Sequence, residues 1–133
     1  MKFYLILLLF LIACQPTKKN LNLPNDVNHE MLIEEKLGGK PEYLTSADGD
    51  YLLCRKVDKS HPGKIDFLVY HVPDQEIVYQ DRLENGQVAW ENDAIIKITQ
   101  TLGNRTEDYP EGYRIYYYDV VKKKTMEKAP KNN

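Results

Sequence analysis

Two cysteines and three histidines are the residues of this chain best suited to nucleophilic or metal chemistry. A cysteine nucleophile needs a base and a positively charged setting. On a strand, Lys56 and Leu52 share the face of Cys54, whereas Arg55 points the other way. The apolar neighbour favours a small core residue at Cys54, and pairing between molecules is the alternative.

The histidines and one acidic turn are the candidates for a metal site. His29, His61 and His71 are far apart in the sequence, whereas zinc needs three or four convergent ligands. Asp48-Gly49-Asp50 could begin a calcium loop, but Lys59 stands where the EF-hand pattern ends in glutamate. The sequence therefore predicts a hairpin turn, surface or edge histidines, no metal and no cofactor. With no serine-hydrolase or zinc-protease motif, it also predicts no catalytic residues.

Tyrosines are dense along residues 113–121, a segment with strand character. One face of this strand carries Arg114, Tyr116 and Tyr118. The other carries Tyr113, Ile115 and Tyr117. Because an isoleucine lies in the middle of the second face, we predict that it points inward. The first face then points outward or lies under the N-terminal helix. If it is exposed, it is the candidate binding surface, since tyrosine and arginine are favoured at interfaces. The alternative is that tyrosine is simply a residue suited to strands.

The amino terminus has the pattern of a secretory address. Lys2 precedes an apolar run over residues 3–13, which is too short to cross a bilayer and fits the core of a signal peptide. The run ends in Leu11-Ile12-Ala13-Cys14, which resembles the lipobox of bacterial lipoproteins. This resemblance implies that Leu11 and Ala13 are recognised by the signal peptidase and that Cys14 becomes the lipidated amino terminus. An ordinary signal peptide or a short membrane anchor is the alternative.

The residues after Cys14 indicate where the protein resides. Residues 15–24 are polar and contain two prolines, as expected of a tether. In the sorting rule of enteric bacteria an aspartate after the cysteine retains a lipoprotein in the inner membrane. Gln15 therefore favours the outer membrane. The predicted organisation is a signal peptide over 1–13, a lipidated tether over 14–24, a β-rich domain over 25–121 and a flexible polar tail over 122–133.

Composition excludes several classes of protein. The chain has 133 residues, 42% of them hydrophobic and 29% charged, which is typical of one globular domain and not of disorder. The 18 basic and 20 acidic side chains leave a net charge of −2, so the sequence predicts no nucleic-acid partner.

The pattern of residues 25–121 predicts a mainly β fold with one short helix. The helix is expected over 25–37, with Asn25 as its N-cap and Gly38 as its C-cap. It should pack on a sheet, because its apolar face is broad. We predict β-strands at residues 42–45, 50–57, 65–72, 76–82, 87–91, 94–100 and 113–121.

Short turns between these strands favour an antiparallel meander or sandwich. Asn85-Gly86 predicts a hairpin. Both faces of residues 65–72 are apolar, so this strand should be central, with Phe67 and Leu68 buried on opposite sides. Residues 44–53 and 86–98 weakly resemble the strand–turn–strand units of β-propeller blades. Because a propeller needs at least four blades, the resemblance implies the strand pattern and not that fold.

These features favour a lipid-anchored envelope protein that binds or scaffolds a protein or glycan partner without catalysis. One alternative is an accessory or inhibitor subunit of an envelope enzyme. Another is an enzyme with an unfamiliar site that uses Cys54 or His71.

Overall fold

A computed structural model of the chain describes residues 27–128. The predictions for the signal peptide, Cys14, the tether and the N-cap at Asn25 lie outside these residues. One helix and eight strands follow one another along the chain. They are α1 Val27–Leu37, β1 Glu42–Thr45, β2 Tyr51–Val57, β3 Ile65–His71, β4 Glu76–Leu83, β5 Gly86–Trp90, β6 Ile95–Thr101, β7 Tyr113–Asp119 and β8 Lys124–Met126.

The strands form two four-stranded antiparallel sheets, which confirms the predicted fold class. Sheet 1 has the order β1-β2-β3-β4 and sheet 2 the order β5-β6-β7-β8, so each sheet is a meander of consecutive strands. The two sheets pack face to face, and α1 packs on the outer face of sheet 1. The described part of the chain therefore has three layers, with α1 and sheet 2 on opposite outsides.

The central position of β3 explains why both of its faces are apolar. Phe67 lies in the core between the two sheets, and Leu68 lies in the core beneath α1. Both side chains are completely buried, as predicted. From α1, Ile33 and Leu37 complete the second core, so the helix covers the sheet as its broad apolar face predicted.

The end of α1 combines a glycine cap with a lysine from sheet 1. Gly38 has a φ of 67°, the left-handed conformation predicted for a C-cap. The Lys56 Nζ donates hydrogen bonds to the carbonyl oxygens of Leu37 at 3.1 Å and Gly38 at 2.7 Å. A cation at the carboxyl end of a helix is favourable, because the carbonyl groups there have no partner within the helix.

The hairpin predicted at Asn85-Gly86 is wrong, because this segment connects strands of different sheets. Gly86 does not have a positive φ. Its lack of a side chain is needed for close approach instead, since a Cβ there would lie 2.3 Å from the Thr99 carbonyl oxygen. The Gly86 amide donates to the Gly63 carbonyl oxygen at 2.9 Å, which ties this connection to the β2–β3 loop.

The flexible tail predicted from residue 122 is also wrong in its first part. Residues 124–126 form β8, which pairs with β7 along Tyr117, Tyr118 and Asp119. The Asp119 carboxylate accepts hydrogen bonds from the amides of Val121 and Lys122, and these bonds turn the chain back. Polar composition suggested a fraying end, but the backbone of these residues completes the edge of sheet 2.

Candidate binding surface

The predicted binding surface of Arg114, Tyr116 and Tyr118 faces the core, so its assignment as an exposed face is wrong. Tyr118 is 7% exposed, and Tyr116 packs against the core between the sheets. The ring of Tyr118 stacks on that of Tyr79 from sheet 1, with centroids 3.9 Å apart. Arg114 lies over the Tyr116 ring at 5.2 Å and forms an ion pair with Glu127.

The cross-strand partners of these tyrosines explain why they point inward. In β6, Ile98 lies opposite Tyr116 and Ile96 lies opposite Tyr118, and both isoleucines are fully buried. Residues directly opposite in a sheet share one face. Val120 continues the same face of the chain and is 1% exposed. That valine, together with the isoleucines of the preceding strand, was the sequence signal that outweighed the single Ile115.

The opposite side of sheet 2 is therefore its outer side, which we call the open face. No other helix or strand among residues 27–128 covers it. Tyr113 is 40% exposed there, and its neighbours along and across the strands are half-buried. The open face consists of Tyr113, Ile115 and Tyr117 from β7, Lys97 opposite Tyr117 on β6, and Met126 opposite Tyr117 on β8.

Both sheets contain a hairpin of the same type, which allows residues of the open face to be matched with residues of sheet 1. The β3–β4 and β7–β8 turns join residue pairs of equal spacing, His71 with Glu76 and Asp119 with Lys124. Both turns also have a left-handed residue at the same position, Gln75 with a φ of 54° and Lys123 with a φ of 52°.

This correspondence matches Ile115 with Phe67 and Tyr117 with Val69. In sheet 1, Phe67 and Val69 are completely buried against sheet 2. The outer sheet of a stack usually presents a polar face to water. The open face instead keeps apolar and aromatic residues at the positions that sheet 1 uses for its core.

The structure shows Cys54 as a core residue, as predicted. Its side chain is completely buried beneath α1, and burial raises the pKa of its thiol to about 12. His71 lies on the other face of sheet 1, opposite Tyr51, so it does not meet Cys54.

The three histidines lie in separate environments. His71 contacts the Asp74 carboxylate at 3.0 Å and stacks on Tyr51. His61 lies 3.9 Å from the Asp58 carboxylate in the exposed β2–β3 loop. His29 stacks on Tyr70 at the inner side of α1. Within residues 27–128, no group of three or more histidine, cysteine or acidic side chains could hold a metal ion.

The acidic turn at residues 48–50 uses its carboxylate internally. The Ser46 hydroxyl donates to the Asp48 carboxylate at 2.6 Å, and the Asp50 amide donates to it at 3.1 Å. These hydrogen bonds lower the pKa of Asp48. Gly49 has a φ of 84°, as predicted for this turn. The geometry is that of a β-hairpin connection and not of a calcium loop.

A cleft of about 650 Å³ lies between the β2–β3 loop and the start of β5. Arg55 is its charged side chain, and this guanidinium is already occupied. It donates to the Glu42 carboxylate at 2.7 Å and to the Val88 carbonyl oxygen at 2.9 Å. Because both contacts connect parts of the protein to each other, Arg55 has a structural explanation without a ligand.

Comparison with protein-family models, curated proteins and solved structures gives no match. Among the described residues, the helix is too short and too polar to cross a membrane.

Proposed function

We propose that this protein is a bacterial envelope lipoprotein whose β domain binds a partner through the open face of sheet 2, without catalysis. The observation that carries the binding role is the open face itself. It places Ile115, Tyr117 and Met126 side by side on an outer layer without a covering element. Apolar and aromatic groups on a sheet face that no other layer covers are typical of interaction sites.

The order of the layers supports this proposal. The proposed anchor at Cys14 leads into α1, which covers one side of sheet 1. The open face belongs to the opposite outer layer. A tether that enters at the helix layer therefore leaves the open face free for a partner in the envelope, which we expect to be a protein or a glycan.

The anchor is tested by the Cys14→Ser variant in bacterial cells. We expect this variant to lose both labelling by a fatty-acid probe and fractionation with membranes, because the thiol that accepts the lipid is absent. The wild-type chain in the outer-membrane fraction would support the localisation. A Cys14→Ser variant that stays bound to the membrane would show that the apolar segment is itself an anchor.

The binding role is tested by capture from envelope extracts on immobilised protein. Ile115→Glu places a charge in the open face, whereas Val57→Glu makes the same kind of change at a 41% exposed valine of sheet 1. We expect Ile115→Glu to lose the captured partner and Val57→Glu to retain it. Capture from an extract treated with protease distinguishes the two kinds of partner, since a glycan is still captured and a protein is not. Equal capture by both variants would exclude the open face as the binding surface.

A further inference from the structure

The outward side of α1 is a second uncovered apolar surface. Met31 is 65% exposed and Leu32 is 36% exposed, although both are large hydrophobic residues. Glu30 and Glu35 are exposed beside them on the same helix. A shallow groove of about 440 Å³ is lined by Met31, Leu32, Glu34 and Glu35. We call Glu30, Met31, Leu32 and Glu35 the helix face.

The helix face and the open face cannot meet within one molecule. The helix lies outside sheet 1, and the open face lies outside sheet 2, so both sheets separate the two surfaces. Adjacent sheets pack about 10 Å apart. Any contact between the two surfaces must therefore join different molecules.

The charges of the two surfaces are complementary. Lys97 lies in the middle of the open face, between Ala89 and Tyr117 on the neighbouring strands, and forms no ion pair with another described residue. Glu30 and Glu35 also form no ion pair within residues 27–128. Each surface thus combines an apolar centre with a free charge, and the charge signs are opposite.

We propose that the open face of one copy binds the helix face of a second copy, so that the partner on the open face is this chain itself. Met31 and Leu32 would pack against Ile115, Tyr117 and Met126, with Lys97 facing Glu30 and Glu35. This proposal rests on the proposed role of the open face. Because the two surfaces differ, the contact is head-to-tail and builds chains of molecules rather than closed dimers.

Attachment to a membrane determines whether this contact is populated. A helix of 11 residues offers a small interface, and small interfaces bind weakly in solution. Confinement to a surface raises the effective concentration of each copy for its neighbours. We therefore expect assembly on membranes and a monomer in dilute solution.

The test uses residues 15–133, attached by an amino-terminal histidine tag to phosphatidylcholine vesicles that contain nickel-chelating lipid. Both cores of the described residues lie within 27–128, so this chain retains them. Energy transfer between donor-labelled and acceptor-labelled copies measures assembly. A zero-length carbodiimide cross-link between ¹⁴N and ¹⁵N copies identifies the contact, and we expect Lys97 joined to Glu35 or Glu30.

Charge reversal gives the decisive comparison. Lys97→Glu alone and Glu35→Lys alone should each weaken assembly at least tenfold, whereas a mixture of the two variants should restore it, because unlike charges meet again. Lys59→Glu is the matched control, since this exposed loop residue lies in neither surface. We expect it to assemble normally.

Three results would overturn head-to-tail assembly. The first is the absence of energy transfer at every surface density. The second is assembly that Lys97→Glu weakens and Glu35→Lys does not, which would indicate contact between two open faces. The third is binding of the untagged chain to vesicles through Met31 and Leu32. If any of these occurs while Ile115→Glu still loses a captured envelope partner, the proposed binding function stands and this inference fails.

Discussion

Replacing each of two adjacent tyrosines by threonine tests which side of β7 faces the core. Tyr118→Thr removes a ring that is 7% exposed and stacked on Tyr79. Truncating a buried aromatic residue costs about 3–5 kcal/mol. Tyr117→Thr removes a half-buried ring on the open face. Full burial of an aromatic side chain contributes about 1.5–3 kcal/mol to the free energy of unfolding. Removal of the half-buried Tyr117 ring should therefore lower that free energy by about 1 kcal/mol.

The assay is equilibrium unfolding in urea. The two variants can be compared directly, because both lose the same atoms and gain a β-branched residue suited to a strand. A difference of about 3 kcal/mol separates their midpoints by about 1–3 M urea, given the usual denaturant dependence for a small domain. Tyr118→Phe is the control for the ring. Its hydroxyl donates to the Val78 carbonyl oxygen at a long 3.4 Å, so its loss should be small. Equal costs for the two threonine variants, or a larger cost for Tyr117→Thr, would refute the assignment of the faces.

Three further predictions concern close packing at Gly86, helix capping by Lys56 and the burial of Cys54. Gly86→Ala should destabilise the domain by roughly 2 kcal/mol or more in urea, because its Cβ would lie 2.3 Å from the Thr99 carbonyl oxygen; unchanged stability would exclude this clash. Lys56→Met should cost about 1–2 kcal/mol and speed amide exchange at the end of α1, since two carbonyl groups lose their cation; unaltered exchange would contradict this capping role. For Cys54 the folded-state pKa is raised from 9.0 to about 12, so its contribution to stability is constant below pH 9 and falls by about 1.4 kcal/mol per pH unit between pH 9 and about pH 12. Cys54→Ala should remove this part of the alkaline loss, whereas an identical pH profile would show that the thiol ionises equally in the folded protein.

Most helices and strands could be predicted from the sequence, because their hydrophobic pattern is compatible with only one arrangement in the fold. Residues 65–71 are apolar on both faces, and a strand of that kind is stable when it is covered on both sides. The turn at Gly49 and the cap at Gly38 were predictable because both require a left-handed backbone. In each case local chemistry and tertiary packing agree.

The predictions that failed depended on contacts between distant segments. The glycine of Asn85-Gly86 suits a tight hairpin equally well, and only the proximity of Thr99 shows that it serves close packing. Two of the three residues of β8 are polar and exposed, and the strand forms by backbone pairing with β7. Local composition carries little information about either contact.

The inverted assignment of β7 follows from the chemistry of tyrosine. A tyrosine ring can be buried or can cover a surface, because its apolar body ends in a polar hydroxyl. Tyrosines at 113, 116, 117 and 118 therefore leave both faces of the strand chemically similar. The neighbouring strand distinguishes the two faces, because Ile96 and Ile98 are completely buried on one side, whereas Lys97 is only half-buried on the other. The tyrosines left outside are then available for binding, and Lys97 among them predicts that their partner carries an acidic group.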